Sequence, residues 1–486
     1  MVGLSHYSPY AAGTLNGFGL DNPGNVQDLA KALEAGYQIT NQTGGSSLRV
    51  ESLEGSLKVL TYTAHHIKMW KKIPKSPAYS TVEEYNQLID YGSDAFAFVA
   101  EGELPPTQDT SYARRTSLVK FIGTTREVTH PMTVVHPAHG DVIALENQNG
   151  ILWLLERIEN SLFKGDASLS FDGESEQWDG LDALIDPTSF IDLEGQPLQE
   201  ADVEEGANQL VENFAYPTDM WLGTRVASDL VKTFYPKERI QLPAPQNGMV
   251  GLSVNSIMTQ AGVMELNPNV FLKRLPSPPT GATSANAPAT PASIASATGS
   301  GTDGDFNKGA PAGTNNYAYA VTAANRFGES APVLIAGNGQ DITQSQKNAL
   351  NHIALTITNP GSIGAFPPEY FRVYRTRPQA SATAHPTDLS QYSLVLQVPA
   401  SSQAAAGTTV VNDVNFLLPF TEIAYMGEMT PSVLTFRQLL PMLRMDLAVL
   451  APAFRWMILL YGTPILFAPK KWLRYINVGR LERATG

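Results

Sequence analysis

Residues 277–415 differ in composition from the chain on either side of them. The stretch opens with a proline cluster and a low-complexity run of Ala, Ser, Thr, Pro and Gly that extends to residue 301. It carries 13 charged side chains in 139 residues, although charged residues make up 16% of the whole chain. Because a domain needs one continuous core, we expect residues 1–276 and 416–486 to fold together while the insert folds separately and projects outward.

Alternating apolar residues within the insert predict a small antiparallel β-sandwich. Tyr317, Tyr319 and Val321 line one face of a predicted strand, and further strands are indicated at residues 353–357 and 392–398. The run from residue 317 to residue 330 resembles a late strand and turn of a fibronectin type III or immunoglobulin-like module. That resemblance covers the insert only.

The absence of cysteine among the 486 residues excludes a disulfide framework, a thiolate metal site and thiol catalysis. The first 19 residues lack the pattern of a secretory signal. The most apolar run, residues 447–468, is broken by two prolines, an arginine and a glycine, so we expect no membrane span. No phosphate-binding loop, nucleophile elbow or zinc-protease motif occurs. We therefore expect neither enzymatic activity nor a cofactor.

Three histidines within ten residues are the best candidates for metal binding. His130, His136 and His139 precede Asp141, and imidazole and carboxylate groups are zinc ligands. The prolines between these histidines and the following Gly140 predict a bent loop without helical i, i+4 spacing. We expect these histidines to serve packing rather than a metal site.

The formal net charge of −13 is concentrated in one segment of the chain. Residues 165–224 contain 15 acidic residues and neither Lys nor Arg, whereas basic residues cluster elsewhere. Opposite charges on one chain suit self-association, and a solvated acidic surface is the alternative. An acidic chain is also a poor candidate for tight duplex DNA binding. The predicted acidic assembly face consists of Asp172, Glu174, Glu176 and Asp179.

Local patterns predict the main helices of the host segments. Apolar residues at Ile151, Leu154, Leu155 and Ile158 predict a helix over residues 150–164, capped by Asn149. Similar patterns predict a helix over residues 198–214 and an amphipathic helix over 432–440. A Ser-x-x-Glu signal predicts a short helix over 79–88, and residues 456–467 predict a buried hairpin around Gly462.

Residues 85–130 predict a long two-stranded excursion with a polar, proline-marked tip. An isolated hairpin is marginally stable in water and needs a surface to lie on. We expect another copy of the same protein to supply that surface. The predicted inter-subunit contacts of this loop are Glu101, Glu103, Arg114, Arg115 and Lys120.

Four passages stand in an order that resembles a known family. They are residues 92–130, with Glu-Gly-Glu-Leu-Pro-Pro at 101–106, and residues 151–164, 171–198 and 456–478. In this order they are similar to the extended loop, the spine helix, the segment after that helix and the axial strands of the major capsid protein of tailed double-stranded-DNA phages, which has the Hong Kong 97-type fold. The resemblance covers most of residues 50–276 and 420–486.

The resemblance implies an α+β fold with peripheral and axial domains. It implies an N-terminal arm at 1–55, a capsid core at 56–276 and a return to the axial domain at 416–486. The inserted sandwich occupies 277–415.

The resemblance also implies a function. Copies of the chain would form hexamers and pentamers of an icosahedral shell around the genome, with the extended loop of each copy lying across a neighbour and the insert displayed outside. Partners implied are a separate scaffold, a portal, and cement or minor capsid proteins. The chain would assemble in the host cytoplasm and reside in the virion.

Two other interpretations remain open at the level of sequence. One is an encapsulin-like cellular compartment with the same fold. The other is a surface carbohydrate-binding or hydrolytic protein whose insert is a β-sandwich module. The lack of a signal peptide and of a catalytic constellation argues against the second interpretation.

Overall fold

The computed structural model describes residues 61–92, 98–135, 140–171, 176–234, 254–273, 275–449 and 451–481. The chain divides into two compact units, one formed by Thr61–Pro131 with Ile143–Gly486 and the other by Met1–Leu60 with Met132–Val142. Of the second unit, only residues 132–135 and 140–142 are described. The predicted N-terminal arm, 1–55, lies outside the described residues.

Helices are a minor part of the described chain. The α-helices are α1 (Met69–Lys72), α2 (His130–Val134), α3 (Val142–Lys164), α4 (Leu181–Leu184), α5 (Glu200–Glu212), α6 (Thr224–Phe234) and α7 (Gln344–Asn348). Short 3₁₀ turns occur at Ala64–His66, Leu389–Gln391 and Pro469–Lys471. Within the described ranges, no helix combines the length and apolar character needed to cross a membrane.

Strands make up most of the regular structure. Those before the insert are β1 (Lys75–Pro77), β2 (Val82–Asp90), β3 (Ser111–Leu118), β4 (Lys120–Thr129), β5 (Phe190–Asp192), β6 (Asp219–Gly223), β7 (Ser256–Thr259) and β8 (Gly262–Asn269). Those of the insert are β9 (Ser293–Gly299), β10 (Asn315–Tyr317), β11 (Tyr319–Asn325), β12 (Gly328–Glu329), β13 (Val333–Leu334), β14 (Gln340–Ile342), β15 (His352–Thr358), β16 (Tyr370–Arg375), β17 (Gln379–Ala380), β18 (Ser393–Pro399) and β19 (Thr408–Asp413). Those after it are β20 (Glu422–Gly427), β21 (Leu434–Asp446), β22 (Ala453–Leu466) and β23 (Trp472–Val478).

Two sheets combine strands from both sides of the insert. A four-stranded sheet has the order β1-β21-β22-β4, and a six-stranded sheet has the order β5-β23-β20-β6-β8-β7. Helices α5 and α6 contribute Val203, Leu210 and Leu230 to the apolar core on the six-stranded sheet. The mixture of helices and sheets confirms the predicted α+β class. It also means that residues on either side of 277–415 belong to common sheets.

The spine helix α3 forms because Leu154, Ile158 and Leu162 recur every four residues and are buried on one face. The predicted start at residue 150 was wrong, since α3 begins at Val142 and runs through Asn149 and Gly150. A Cβ at residue 150 would lie 2.9 Å from Ile458 Cδ1, so the glycine permits close packing against β22 rather than marking a helix start. Helix α5 lies within the predicted span of 198–214.

The predicted helix at 79–88 was wrong, because these residues lead into strand β2. Glu83, Tyr85 and Gln87 are half-buried while their neighbours are exposed, which is the two-residue period of a strand. The cap-like signal is real but local: the Tyr79 N–H donates to Glu83 Oε1 at 2.9 Å within a turn. Side-chain hydrogen bonds of this kind serve turns as well as helix starts.

The predicted helix at 432–440 was also wrong. Strand β21 occupies this span because it pairs with β1 on one edge and β22 on the other, and it is buried at Leu434, Thr435 and Phe436. Pro441 falls where the register with β22 shifts, so its missing N–H disrupts no ladder bond. Pairing on both edges outweighs the local helical pattern.

The prediction of a buried hairpin at 456–467, with its turn around Gly462, was wrong. Strand β22 runs unbroken through Gly462, which pairs with Gln438 on one side and Lys120 on the other. A Cβ at residue 462 would lie 2.6 Å from the Arg437 carbonyl oxygen. The glycine therefore permits a close approach of two strands and makes no turn.

The strands of the insert pair only with one another among the described residues. They form a β19-β15-β9 sheet, a β12-β11-β16-β18 sheet with β13 added to β11, and a β14-β10-β17 sheet. One apolar core joins them, with Tyr319, Leu355 and Phe371 fully buried. The domain boundaries and the immunoglobulin-like classification remain predictions.

Polar contacts fix the insert to the host segments. Lys308 Nζ lies 2.7 Å from Asp192 Oδ2, and the Leu394 N–H donates to the Pro276 carbonyl at 2.8 Å. Where the chain enters and leaves, the Leu275 N–H donates to the Thr421 carbonyl at 3.2 Å. The insert is therefore held at its base as well as by its two covalent connections.

Candidate assembly interface

The hairpin of β2 and β3 makes few contacts with the other residues that the structure describes. Its strands pair from Val82 with Leu118 to Asp90 with Ser111. On strand β2, Gln87 Nε2 donates to the Phe467 carbonyl at 2.5 Å, and the Tyr85 ring meets the Phe467 ring edge-on at 5.0 Å. Burial at this contact raises the pKa of the Tyr85 hydroxyl, an effect that the nearby Arg115 charge opposes.

Apolar side chains are exposed along the hairpin. Leu104 is 92% exposed, Phe98 is 83% exposed and Tyr91 is 82% exposed. Large exposed apolar side chains on one projection are typical of an interaction surface. Sequence analysis singled out the charged residues of this loop and missed these apolar ones, although their clustering in the sequence around a proline-marked tip is a usable signal.

The five predicted contact residues of the loop lie at its tip, on strand β3 and beyond the hairpin. Glu101 and Glu103 are exposed at the tip. Arg114 forms a cross-strand ion pair of 2.5 Å with Glu84, and Arg115 Nε donates to Gln87 Oε1 at 3.3 Å. Lys120 is half-buried at the start of β4, beyond the hairpin. The structure thus groups the two acidic residues and the two arginines but separates Lys120 from both groups.

The predicted acidic assembly face is described only in part. Asp172 and Glu174 lie outside the described residues. Glu176 is exposed and forms a 2.6 Å ion pair with Arg326 of the insert, while Asp179 accepts a 2.8 Å hydrogen bond from the Ala167 N–H. Both described members of the face therefore have partners within the chain, and their role between copies remains a prediction.

A buried carboxylate joins the spine helix to α1. Glu159 is fully buried, and its Oε1 accepts hydrogen bonds from the Lys68 N–H at 3.0 Å and the Met69 N–H at 2.7 Å. Its Oε2 accepts one from the Trp70 N–H at 2.8 Å, and Asn269 Nδ2 donates to Oε1 at 2.7 Å. Four donors satisfy a charge that would otherwise be costly to bury.

Helix α1 is held from its other end by Lys72. Its ammonium group forms ion pairs with Asp219 and, at 2.6 Å, with Glu265. Burial alone would lower the pKa of Lys72, but hydrogen bonds to the two carboxylates raise it above the usual 10.5. Sequence analysis missed both Lys72 and Glu159. The signal for Glu159 was an acidic residue on the apolar stripe of α3, four residues after Leu155.

Groups that carry chemistry are sparse in the described ranges. His, Asp and Glu side chains there form no cluster of three able to hold a metal ion. His130 is described, while His136 and His139 lie outside the described residues. The features that the geometry does provide are an exposed apolar hairpin, a long buried helix and sheets, which suit assembly.

Curated relatives match the chain over nearly its whole length. A major capsid protein of Staphylococcus phage K is 29% identical over 468 residues, covering 93% of this chain and 95% of the relative. A major capsid protein of Staphylococcus phage S25-3 is 29% identical over 469 residues, with the same coverage. A relative from Enterococcus phage phiEF24C is 28% identical over 468 residues. No family model matches the chain.

Solved shell proteins also align with the chain. A chain from a structure of Gordonia phage Cozz aligns with a TM-score of 0.44 and 9% identity, covering 90% of this chain and 94% of the other. An encapsulin of Synechococcus elongatus aligns with a TM-score of 0.41 and 8% identity, covering 90% and 96%.

The extended hairpin, the spine helix and the two host sheets follow one another along the chain in the order expected of the Hong Kong 97-type fold. The similarity to the staphylococcal phage proteins extends over 93% of this chain and 95% of each relative. Over nearly its whole length the chain is similar to phage major capsid proteins.

Proposed function

We propose that copies of this chain assemble into hexamers and pentamers and form the icosahedral shell that encloses a phage's double-stranded DNA. The observation that carries this proposal is the hairpin of β2 and β3, whose apolar side chains are exposed on a projection that the described part of the chain does not cover. Each square ångström of apolar surface removed from water contributes about 25 cal/mol, so covering the hairpin with a neighbouring copy favours assembly.

The role we propose is structural rather than catalytic. The hairpin of each copy lies across a neighbour, and the axial domains meet at the centres of the hexamers and pentamers. The acidic character of the chain, with a net charge of −13, suits a shell that encloses DNA without binding it by sequence.

Further partners follow from this role. We propose that the insert is displayed on the outer face, where cement or minor capsid proteins bind, and that a separate scaffold and a portal take part in assembly. Assembly would take place in the host cytoplasm, and the finished protein would reside in the virion. These proposals rest on the resemblance to the family rather than on any contact within the chain.

Expression of the full chain with and without its scaffold tests the central proposal. Size-exclusion chromatography and electron microscopy should reveal capsomers or closed particles. Replacing Tyr91 and Leu104 with Ser should reduce particle yield, because these substitutions remove the apolar surface that a neighbour covers. The matched control is Val410→Ser, which changes an exposed apolar residue on β19 of the insert and should leave the yield unchanged. A compact monomer whose hairpin resists protease at high concentration would contradict the proposal.

A further inference from the structure

A cleft of about 980 Å³ lies between the insert and the spine helix. Helix α3 lines one wall and strand β4 lines its floor, while the loop after β11 and the start of β16 line the opposite wall. Aromatic rings are spread over these elements. The side chains that matter for its chemistry are Phe121, Trp153, Arg157, Arg326, Phe327 and Tyr370.

Two arginines at the cleft lie over aromatic rings. The Arg157 guanidinium lies 5.3 Å from the Trp153 ring, and that of Arg326 lies 4.8 Å from the Phe327 ring. Their side chains are 57% and 54% exposed. The ion pair between Arg326 and Glu176 is exposed on both sides, and such pairs stabilise a fold little. Arg326 is therefore able to exchange Glu176 for another carboxylate at small cost.

The acidic residues of the cleft are engaged within the chain. Glu329 forms a 2.7 Å ion pair with Arg372 and accepts a 2.5 Å hydrogen bond from the Tyr374 hydroxyl. Glu369 accepts a hydrogen bond from the backbone of Arg326. The lining contains two lysine or arginine residues from the host segments, two from the insert, and three glutamates, so the cleft carries a surplus of positive charge.

The tip of the hairpin has the complementary chemistry. Residues 98–110 contain three acidic residues and no basic residue, and every one of them is exposed. Within the described part of the chain, Glu101 and Glu103 have no ion-pair partner. Leu104 is followed by Pro105 and Pro106, and proline-rich extended segments dock into aromatic-lined grooves because little ordering entropy is lost.

We propose that the cleft between the insert and α3 receives the hairpin tip, residues 98–110, of a second copy of this chain. Leu104 and the two prolines pack against the aromatic rings, and Glu101 and Glu103 pair with Arg157 and Arg326. This inference rests on the proposed function, since it assigns the surface on which a neighbour's hairpin ends. It also gives the insert a part in holding copies together, in addition to display.

The absence of cysteine from the chain permits a direct test by disulfide cross-linking. A Leu104→Cys chain is mixed with a Phe327→Cys chain, assembled into particles and oxidised, and covalent dimers are counted on a non-reducing gel. The matched control replaces the second chain with Val410→Cys, whose exposed side chain lies on β19 and does not line the cleft. We expect at least tenfold more mixed dimer with Phe327→Cys than with Val410→Cys.

A second measurement addresses the ion pairs. Arg326→Glu should slow assembly, and combining it with Glu103→Arg should restore the rate, because the exchanged charges attract again. Closed particles in which Leu104→Cys cross-links no better to Phe327→Cys than to Val410→Cys would overturn the inference and leave the shell function intact. Failure of the unmodified chain to form any particle would overturn both.

Discussion

The buried Glu159 carboxylate provides a prediction whose size follows from its contacts. It accepts four hydrogen bonds from Lys68, Met69, Trp70 and Asn269 while it is fully buried. A hydrogen bond to a charged group contributes about 1.5–3 kcal/mol, and a buried donor left without an acceptor costs about 1–3 kcal/mol. Several donors depend on this single side chain.

Replacement by glutamine keeps one acceptor oxygen but removes the charge and places an amide group opposite the Trp70 N–H. We expect Glu159→Gln to lower the free energy of unfolding by about 2–3 kcal/mol. Glu159→Ala leaves all four donors without an acceptor, so we expect a loss of about 4–5 kcal/mol, at the upper end of single-substitution effects. The matched control is Glu156→Gln on the same helix, whose carboxylate accepts from Asn160 near the surface, with an expected change below about 0.5 kcal/mol.

Guanidinium unfolding of the unassembled chain, followed by circular dichroism, measures these differences. Hydrogen exchange of the peptide covering residues 61–75 should accelerate in the Glu159→Gln variant, because the amides of Lys68, Met69 and Trp70 lose their acceptor. An unchanged midpoint together with unchanged exchange in this peptide would refute the assignment of Glu159 as the residue that fixes α1 to the spine helix.

Three further predictions concern other parts of the chain. Phe214, at the C-terminal end of α5, has a left-handed φ of 59° in a position that favours glycine, so Phe214→Gly should raise the free energy of unfolding by about 0.5–1 kcal/mol in thermal denaturation. Asp413→Asn leaves the fully buried Arg375 without its 2.5 Å ion pair, so unfolding should become easier by about 3–4 kcal/mol in urea titration; a change below 1 kcal/mol would contradict this. Burial raises the pKa of Asp341, but hydrogen bonds from Ser381, Asn316 and the Ala382 N–H together hold it below the usual 3.8. A carboxylate whose pKa is lower in the folded than in the unfolded chain stabilises the fold at pH values above its unfolded pKa. The native chain should therefore have a higher free energy of unfolding than Asp341→Asn above about pH 5, and this difference should disappear as the pH falls through the folded pKa. Acid unfolding curves of the two chains measure the difference.

Sequence periodicity predicted the helices and strands whose conformation is determined by the pattern of their own residues. In helix α5 and in the C-terminal part of α3, apolar residues recur at the spacing that places them on one face of a helix. In the insert, the alternation at Ile353, Leu355 and Ile357 matches the buried positions of β15. These patterns involve residues close together in the chain, so a single sequence is enough to predict the helices and the strand.

The wrong predictions arose where distant strands decide the outcome. Strands β21 and β22 pair with β1 and β4, which lie far earlier in the chain, and Gly462 marks a close approach that sequence alone does not distinguish from a turn. The candidate interface was predictable as a hairpin that needs a cover, because its proline-marked tip and its flanking strands are adjacent in sequence. The cleft between the insert and α3 could not be predicted from the sequence, because α3, β4 and the insert come together only in the folded chain.

The hydrogen bond between the Leu275 N–H and the Thr421 carbonyl has an evolutionary consequence. The chain departs from the host sheet and rejoins it at neighbouring points, so a genome can lose, lengthen or exchange the intervening segment in one recombination event without rerouting any host strand. Because these two positions are adjacent, a foreign sequence can also be grafted between them, and the host segments are expected to keep their fold.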